Sequence, residues 1–421
     1  MKKRIIALVL VLALALTLFP MTAFAKDDPV SYAFERGYDE DRYYDGDTVY
    51  LPLNGELCWI DAPKHYHSTV NIEVVDPYNY RGDTDGDGTV NILDASAAQR
   101  HLAELDTKNF IMLTADADRD GTVTIVDVTA IQSALAGLDG YEYIGEQISY
   151  GTYYSGWNME QDLLPEGVVL GGDNLQLMQA RVRTALSLLV DRGRIVGEAL
   201  PVDRLPANSF IPKWMSDADG SEFHANSGEG GGYYDSDAYE ANVGKAVELL
   251  KGTNLYTFDE ETGKFTDFPE LHYIHNNGAV HAAIANVIKE DFAAVGITVV
   301  VEAKDWGSYQ ETLNAKEYAL ARGAWVEDRD DPMLFLSMWT TDSEENSFGL
   351  GQGAHANAKI FSVDLTPYGG EKIENGTWAQ TYDVLIGMIR DCEDKEAAYA
   401  MMHLAEDLLM STGCIMPLYY Y

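Results

Sequence analysis

The sequence predicts a multidomain chain. A small all-α module built on two acidic loops comes first, an α/β domain follows, and a short β-rich segment precedes both. Three observations carry this. The Asp-rich pattern Asp83–Asp94 returns as Asp116–Asp127. Each copy runs into a stretch with helical apolar spacing, as in a paired repeat. From about residue 151 onward, helix-period segments alternate with short apolar runs, the pattern of an α/β domain.

Composition bounds the function. The chain has 421 residues, 46% hydrophobic and 23% charged, which suits packed domains rather than wholesale disorder. Its 68 acids against 29 bases give a net charge of −39. Such a surface repels nucleic acid and anionic membranes and favours divalent cations. At the N-terminus, Lys2, Lys3 and Arg4 precede an apolar run from Ile5 to Phe19, and Ala23-Phe24-Ala25 supplies small residues for cleavage. Residues 1–25 therefore read as a secretory signal peptide. The run is short for a membrane span, and no later stretch is apolar enough to be one, so no span is expected after cleavage. Of the three cysteines, Cys58, Cys392 and Cys414, the last two are the expected pair if a disulfide forms.

Residues 26–80 form the β-rich region or spacer, with strand-like runs at 48–51 and 69–75. His65 and His67 in this region lack acidic or Cys partners at metal-binding spacing. Residues 81–138 hold the repeat, with helices expected over Ala95–Leu105 and Val128–Leu138, and 139–150 is a linker. The α/β domain covers 151–421. Ile284, Val287, Ile288 and Phe292 share one face of a helix over 278–296, and 297–301 reads as a strand covered on both sides. A helix near 306–316 and a strand over 318–325 complete a βαβ unit. Helices at about 378–391 and 395–411 lead to a last strand, 414–421.

The acidic loops have a chemistry of their own. A hard cation such as Ca²⁺ takes six to eight oxygens, and a 12-residue loop supplies them from positions 1, 3, 5, 7, 9 and 12. In the first loop these are Asp83, Asp85, Asp87, the Thr89 carbonyl, Asn91 and Asp94. In the second they are Asp116, Asp118, Asp120, the Thr122 carbonyl, Thr124 and Asp127. Gly88 and Gly121 stand where the loop turns sharply, and Val90 and Val123 are placed to pair the loops by a short β contact. Two Ca²⁺ ions are expected, with folding coupled to their binding.

Position 12 is Asp rather than the Glu of an EF-hand sensor, and no helix is evident before either loop. Loop-then-helix repeats of this kind closely resemble dockerin modules, and the likeness covers 81–138. It implies docking to a cohesin module of a scaffoldin in a cellulosome-like assembly. Ile92 and Leu93 in one copy, and Ile125 and Val126 in the other, occupy the positions that often contact cohesin. Arg100 and His101 differ from Ser133 and Ala134 in the second copy, which implies that one face dominates.

The C-terminal region resembles the extracellular solute-binding proteins of peptide ABC importers, the oligopeptide-binding type. The likeness rests on Arg181–Ser187 with Asp191-Arg192, on Tyr234-Asp235 with Lys245–Leu250, and on Gly296–Val299. It also rests on Arg322–Asp328 with Asp331-Pro332, and on Trp378 with Tyr382-Asp383. It implies a periplasmic-binding-protein-like, type II α/β fold. It also implies that Asp328 pairs with a peptide α-amino group, that Arg322 meets its carboxylate, and that Trp325 packs beneath. The stretch giving most of the first lobe in that family is not evident, so a partial domain is expected.

No G-x-S-x-G, H-E-x-x-H or C-x-x-C motif appears, and His272, His275 and His281 read as incidental. The expectation is a secreted, non-catalytic protein, extracellular or held at the cell surface through a scaffoldin. It would carry a peptide-binding-type domain with a peptide ligand and an ABC importer as partners. The alternatives are a cellulosome-associated polysaccharide hydrolase with unrecognised catalytic residues, and a remnant domain that binds nothing.

Overall fold

The computed structural model describes residues 48–53, 56–61, 72–75 and 79–421, with gaps at 87–88, 106, 108–109, 139, 142–143, 146, 149, 201–203, 229–230 and 328. Before residue 80 only the backbone is described. The signal segment and the pair His65 and His67 lie outside these residues. Two compact units emerge, Met1–Tyr78 with Gly86–Thr89, and Asn79–Asp85 with Val90–Tyr421. In the first, β1 (Thr48–Leu53), β2 (Glu56–Asp61) and β3 (Ile72–Val75) form an antiparallel sheet in that order.

The second unit opens with β4 (Asn79–Tyr80), the acidic repeat, and then β5 (Gln147–Ile148), which pairs antiparallel with β4 and brings the two ends of the repeat together. Between them run α1 (Ile92–Leu102), the single turn α2 (Met112–Ala115) and α3 (Ile125–Leu135). Helices α1 and α3 start three residues before the expected Ala95 and Val128, because loop residues cap them. The Asn91 side chain accepts from the Leu93 N–H at 2.8 Å, and the Asp94 carboxylate accepts from the Asn91 N–H at 2.7 Å. Thr124 and Asp127 repeat this capping box at 3.1 and 2.7 Å. The turn α2 lies ahead of the second loop, where no helix was evident.

The expected β contact between Val90 and Val123 does not form among the described residues. The flanks of the loops join the repeats instead, Gly82 N–H donating to the Thr114 carbonyl at 2.8 Å and Ile111 N–H to that of Thr84 at 2.9 Å. Val90 packs on a small core of Ala95, Ala98, Val128 and Ile131.

The α/β region follows in the order β6 (Tyr150–Trp157), α4 (Gly172–Leu188), the turn α5 (Arg192–Arg194), β7 (Leu205–Pro206) and α6 (Tyr239–Gly252). The hairpin β8 (Phe258–Asp259) and β9 (Lys264–Phe265), then β10 (Leu271–Asn276), α7 (Ala279–Ala294), β11 (Val299–Lys304), α8 (Trp306–Asn314) and β12 (Leu320–Glu327) come next. The chain ends with α9 (Met333–Leu336), the hairpin β13 (Phe361–Asp364) and β14 (Lys372–Gly376), α10 (Val384–Arg390), α11 (Lys395–Ser411) and β15 (Ile415–Tyr420).

Six strands form one mixed sheet, β11-β10-β12-β6-β15-β7. Strand β10 runs parallel to both β11 and β12, and the remaining pairs are antiparallel. The apolar run 297–301 was expected to be covered on both sides. It leads instead into an edge strand, β11, fully buried only at Val299, because α7 covers one face and no strand lies beyond it among the described residues.

Strand β6 is buried along its whole length. Alternation sends Tyr153 toward the layer of α4, α6 and α7, where Ile284, Ile288 and Phe292 pack. It sends Tyr154 to the opposite face, edge-on to Phe210 and Trp339. The ring of Tyr154 lies across its register partner Gly323, where a Cβ would stand 2.4 Å from Tyr154 Cε2. Two buried arginines tie the helices to the C-terminal stretch. Arg183 donates to the Thr412 carbonyl through Nε and Nη2, and Arg192 to the Pro417 carbonyl at 2.7 Å while lying over the Tyr234 ring.

The expected pairing of Cys392 with Cys414 is absent: both thiols are free. Cys414 is buried at the start of β15 against the Trp157 carbonyl, while Cys392 donates to the Asp394 carbonyl at the surface end of α10.

Glu406 on α11 is fully buried. Its carboxylate accepts from the Phe210 and Ile211 N–H groups at 3.0 and 2.8 Å and from the Ser227 hydroxyl at 2.6 Å, fastening the 210–227 segment. Burial pushes its pKa up to about 7. The folded state therefore holds this proton more tightly than the unfolded chain. The resulting stability is complete below the unfolded value of about 4.3 and is lost as pH rises through about 7. Glu406→Gln keeps the acceptor and can donate to Ser227, but it does not titrate. In urea unfolding, the stability of the native chain relative to this variant should fall between pH 5 and pH 8; a constant difference would contradict the assignment.

Candidate functional site

Two places in the second unit concentrate chemistry. In the first acidic loop, carboxylate oxygens of Asp83, Asp85 and Asp94 lie within 4.8 Å of one another, with Asp83 and Asp94 buried. Asp87 lies outside the described residues, Thr89 is exposed, and Asn91 is committed to capping α1. In the second loop, oxygens of Asp116, Asp118 and Asp120 converge in the same way. Asp127 is not among these three; its carboxylate accepts from the N–H groups of Asp118 and Thr124. Asp120 also accepts from Thr122, whose hydroxyl lies 2.7 Å away.

These residues fit a hard cation. Every converging donor is a carboxylate oxygen, and three such groups so close repel strongly without a countercharge. One oxygen of Asp116, Oδ1, is buried with no hydrogen-bond partner, while Oδ2 accepts from the Gly121 N–H at 2.9 Å. Burial, with Asp127, Asp118 and Asp120 adding to it, pushes the Asp116 carboxyl up to about 7. That environment calls for a proton or a cation.

Beside each loop, the first turn of the helix shows a pair of apolar side chains. Ile92 and Leu93 are 58% and 62% exposed, and Ile125 and Val126 are 61% and 55% exposed. None of the four serves the module's own core. Arg100 is exposed too, whereas His101 stacks on Phe110 with ring centroids 4.4 Å apart.

The second place surrounds Arg322. Its Nε donates to the Asn276 side-chain oxygen at 2.7 Å, and its guanidinium lies 5.9 Å from the Tyr153 ring and 6.0 Å from that of Trp306. It makes no ion pair among the described residues. A cation framed by aromatic rings and lacking a carboxylate can take an anionic group from outside. His281, read as incidental from sequence, belongs here: its Nδ1 lies 3.0 Å from the Tyr153 hydroxyl. Burial, then the Arg322 charge, lowers its pKa to about 4, so the ring is neutral and its Nδ1 is free to accept.

Trp325 is buried, but the odd spacing along β12 turns it to the face opposite Arg322, toward Thr152 and its partner Phe210. Asp328 lies outside the described residues. Asn276, Tyr153, Trp306 and His281 come from β10, β6, α8 and α7, and their separation in sequence hid the grouping.

Residues 113–347 match the profile of the bacterial extracellular solute-binding proteins, family 5 Middle, and residues 81–136 match the dockerin type I domain. The dipeptide-binding protein DppE of Bacillus subtilis is 25% identical over 243 residues, 57% of this chain and 37% of that protein. The periplasmic oligopeptide-binding protein OppA of Salmonella typhimurium is 24% identical over 246 residues, 57% of this chain and 36% of its own. The chain thus spans less than two-fifths of the length of these relatives. Among solved structures, Burkholderia pseudomallei OppA aligns over 92% of this chain and 62% of its own, with a TM-score of 0.46 and 15% identity. The unliganded open form of the periplasmic murein tripeptide binding protein MppA aligns over 89% and 57%, with a TM-score of 0.44 and 19% identity.

For the acidic loops, calorimetric titration of the full chain with Ca²⁺ should count two bound ions. Asp116→Asn, which removes the charge of a buried carboxylate, should leave one; an unchanged count would remove the second loop as a site.

Proposed function

The chain belongs to family 5 of the bacterial extracellular solute-binding proteins and carries a dockerin type I domain, and we propose that it is a secreted, non-catalytic adaptor. Its dockerin module holds two Ca²⁺ ions and plugs into a cohesin of a scaffoldin. Its α/β region offers a face for a peptide. The observation that carries the docking half is the repeated arrangement of converging carboxylates followed at once by an exposed apolar pair, Ile92 and Leu93, then Ile125 and Val126. A cation drawing the loop carboxylates together would hold each capped helix start, and so each apolar pair, in a fixed position for a partner to cover.

The peptide half rests on Arg322. Its guanidinium has an aromatic frame and no carboxylate partner among the described residues, which suits the terminal carboxylate or an acidic side chain of a peptide. Asp328 would take the α-amino group, as the family likeness implies. The names of the relatives, dipeptide- and oligopeptide-binding proteins, support the same ligand class. An ABC importer as the downstream partner follows from family membership alone.

Two experiments test this reading. A type I cohesin should retain the full chain in Ca²⁺ and release it in chelator, and Ile92→Asp with Ile125→Asp should abolish retention; capture that survives chelator would sink the docking role. Calorimetry with di- and tripeptide mixtures should give heat that Arg322→Ala weakens about 10- to 100-fold, the worth of one charged hydrogen bond. No heat with any mixture would leave the domain without a ligand.

A further inference from the structure

The second acidic loop is not isolated from the α/β region. Gly121, at the sharp turn of that loop, has φ +93°, and a Cβ built there would stand 3.0 Å from Lys213 Nζ and 3.3 Å from Leu205 Cδ1. The loop therefore rests on the corner formed by β7 and the segment that follows it. Lys213 is half-buried and makes neither an ion pair nor a hydrogen bond among the described residues. Its charge reaches Glu222 and His224 on its own side, opposing the burial-driven rise of the former and adding to the lowering of the latter. On the other side stands a loop with three converging carboxylates, one oxygen of which, Asp116 Oδ1, is buried and unpartnered. The module contributes a cation of its own as well, Arg81, whose Nε donates to the Ala117 carbonyl and whose charge bears on Asp118.

We propose that Lys213 is a resident countercharge for the second loop, by which the α/β region lowers that loop's affinity for Ca²⁺ and sets it apart from the first loop. This rests on the calcium reading above. An ammonium at the turn stabilises the carboxylates while no divalent ion is bound, and it repels the ion when one arrives. Linkage makes the effect reciprocal: Ca²⁺ in the second loop weakens the seat on Leu205 and Lys213 by the same factor. The contact converts an occupancy difference in the module into a looser or tighter hold on the α/β region.

The test is calorimetric Ca²⁺ titration of the full chain at low ionic strength, with Asp116→Asn identifying which binding class belongs to the second loop. Lys213→Met keeps the stem against Leu205 and removes the charge. It should tighten the second-loop class about five- to thirtyfold and move the other class less than twofold. Lys213→Arg, which retains the charge, should leave both classes within twofold of the native chain. Circular dichroism of each variant in Ca²⁺ reports that the fold is kept. Two native classes that Lys213→Met leaves unmoved, or shifts equally, would overturn the countercharge role while the calcium reading stands. Absence of any Ca²⁺ heat from the native chain would overturn both.

Discussion

The α/β region depends on one strand being dry on both sides. All eight residues of β6 are buried, and neighbouring side chains go to opposite layers, Tyr153 under the helices and Tyr154 among Phe210, Trp339 and Phe348. Everything else adjusts to that placement. Strand β12 must carry glycine opposite Tyr154, and β15 lays Tyr419 against Tyr153 with centroids 5.0 Å apart. Two hydroxyls on this strand find partners locally: that of Ser155 meets that of Tyr273 at 3.0 Å, and that of Thr152 donates to the Phe210 carbonyl. A buried polar group without such a partner would cost on the order of 1–3 kcal/mol.

The same strand explains why Arg322 stands where it does. Register pairs it with Ser155, on the Tyr153 face, so the charge emerges beside an aromatic surface rather than inside the Tyr154 layer. Asn276 orients the guanidinium through Nε and leaves its outer edge available. Trp325, three residues on, serves the other layer. One strand thus contributes a half-buried cation to one face and a buried anchor to the opposite one.

What the sequence made legible follows from how local each feature is. The acidic loops stood out in the sequence because their Asp residues are close together; the helix starts were misplaced, since loop positions 9 and 12 double as capping residues, and the turn α2 and the missing Val90–Val123 contact depend on how the two repeats pack. Arg322 was singled out by its flanking motif. Its setting was not, because Tyr153, Asn276, His281 and Trp306 meet only through the strand order β10-β12-β6, which no periodicity encodes. The apolar run at 297–301 looked interior for a related reason: a run reports hydrophobicity, not whether another strand lies beyond it. The two cysteines of the last helices invited pairing by nearness in sequence, while the fold points one inward and leaves the other near the surface.

The short pair β4–β5 has a consequence for how such a chain could arise. Antiparallel partners lie about 5 Å apart, so the segment between Asn79 and Ile148 leaves the sheet region at almost the point where it enters it. A segment with neighbouring ends can be spliced into a host, or removed from it, without stretching or severing the strand that follows. Strand β6 begins directly after β5 and can keep its register whatever the inserted piece contains. Recombination can therefore exchange the module between β4 and β5 for another of equal end spacing, leaving the α/β region intact.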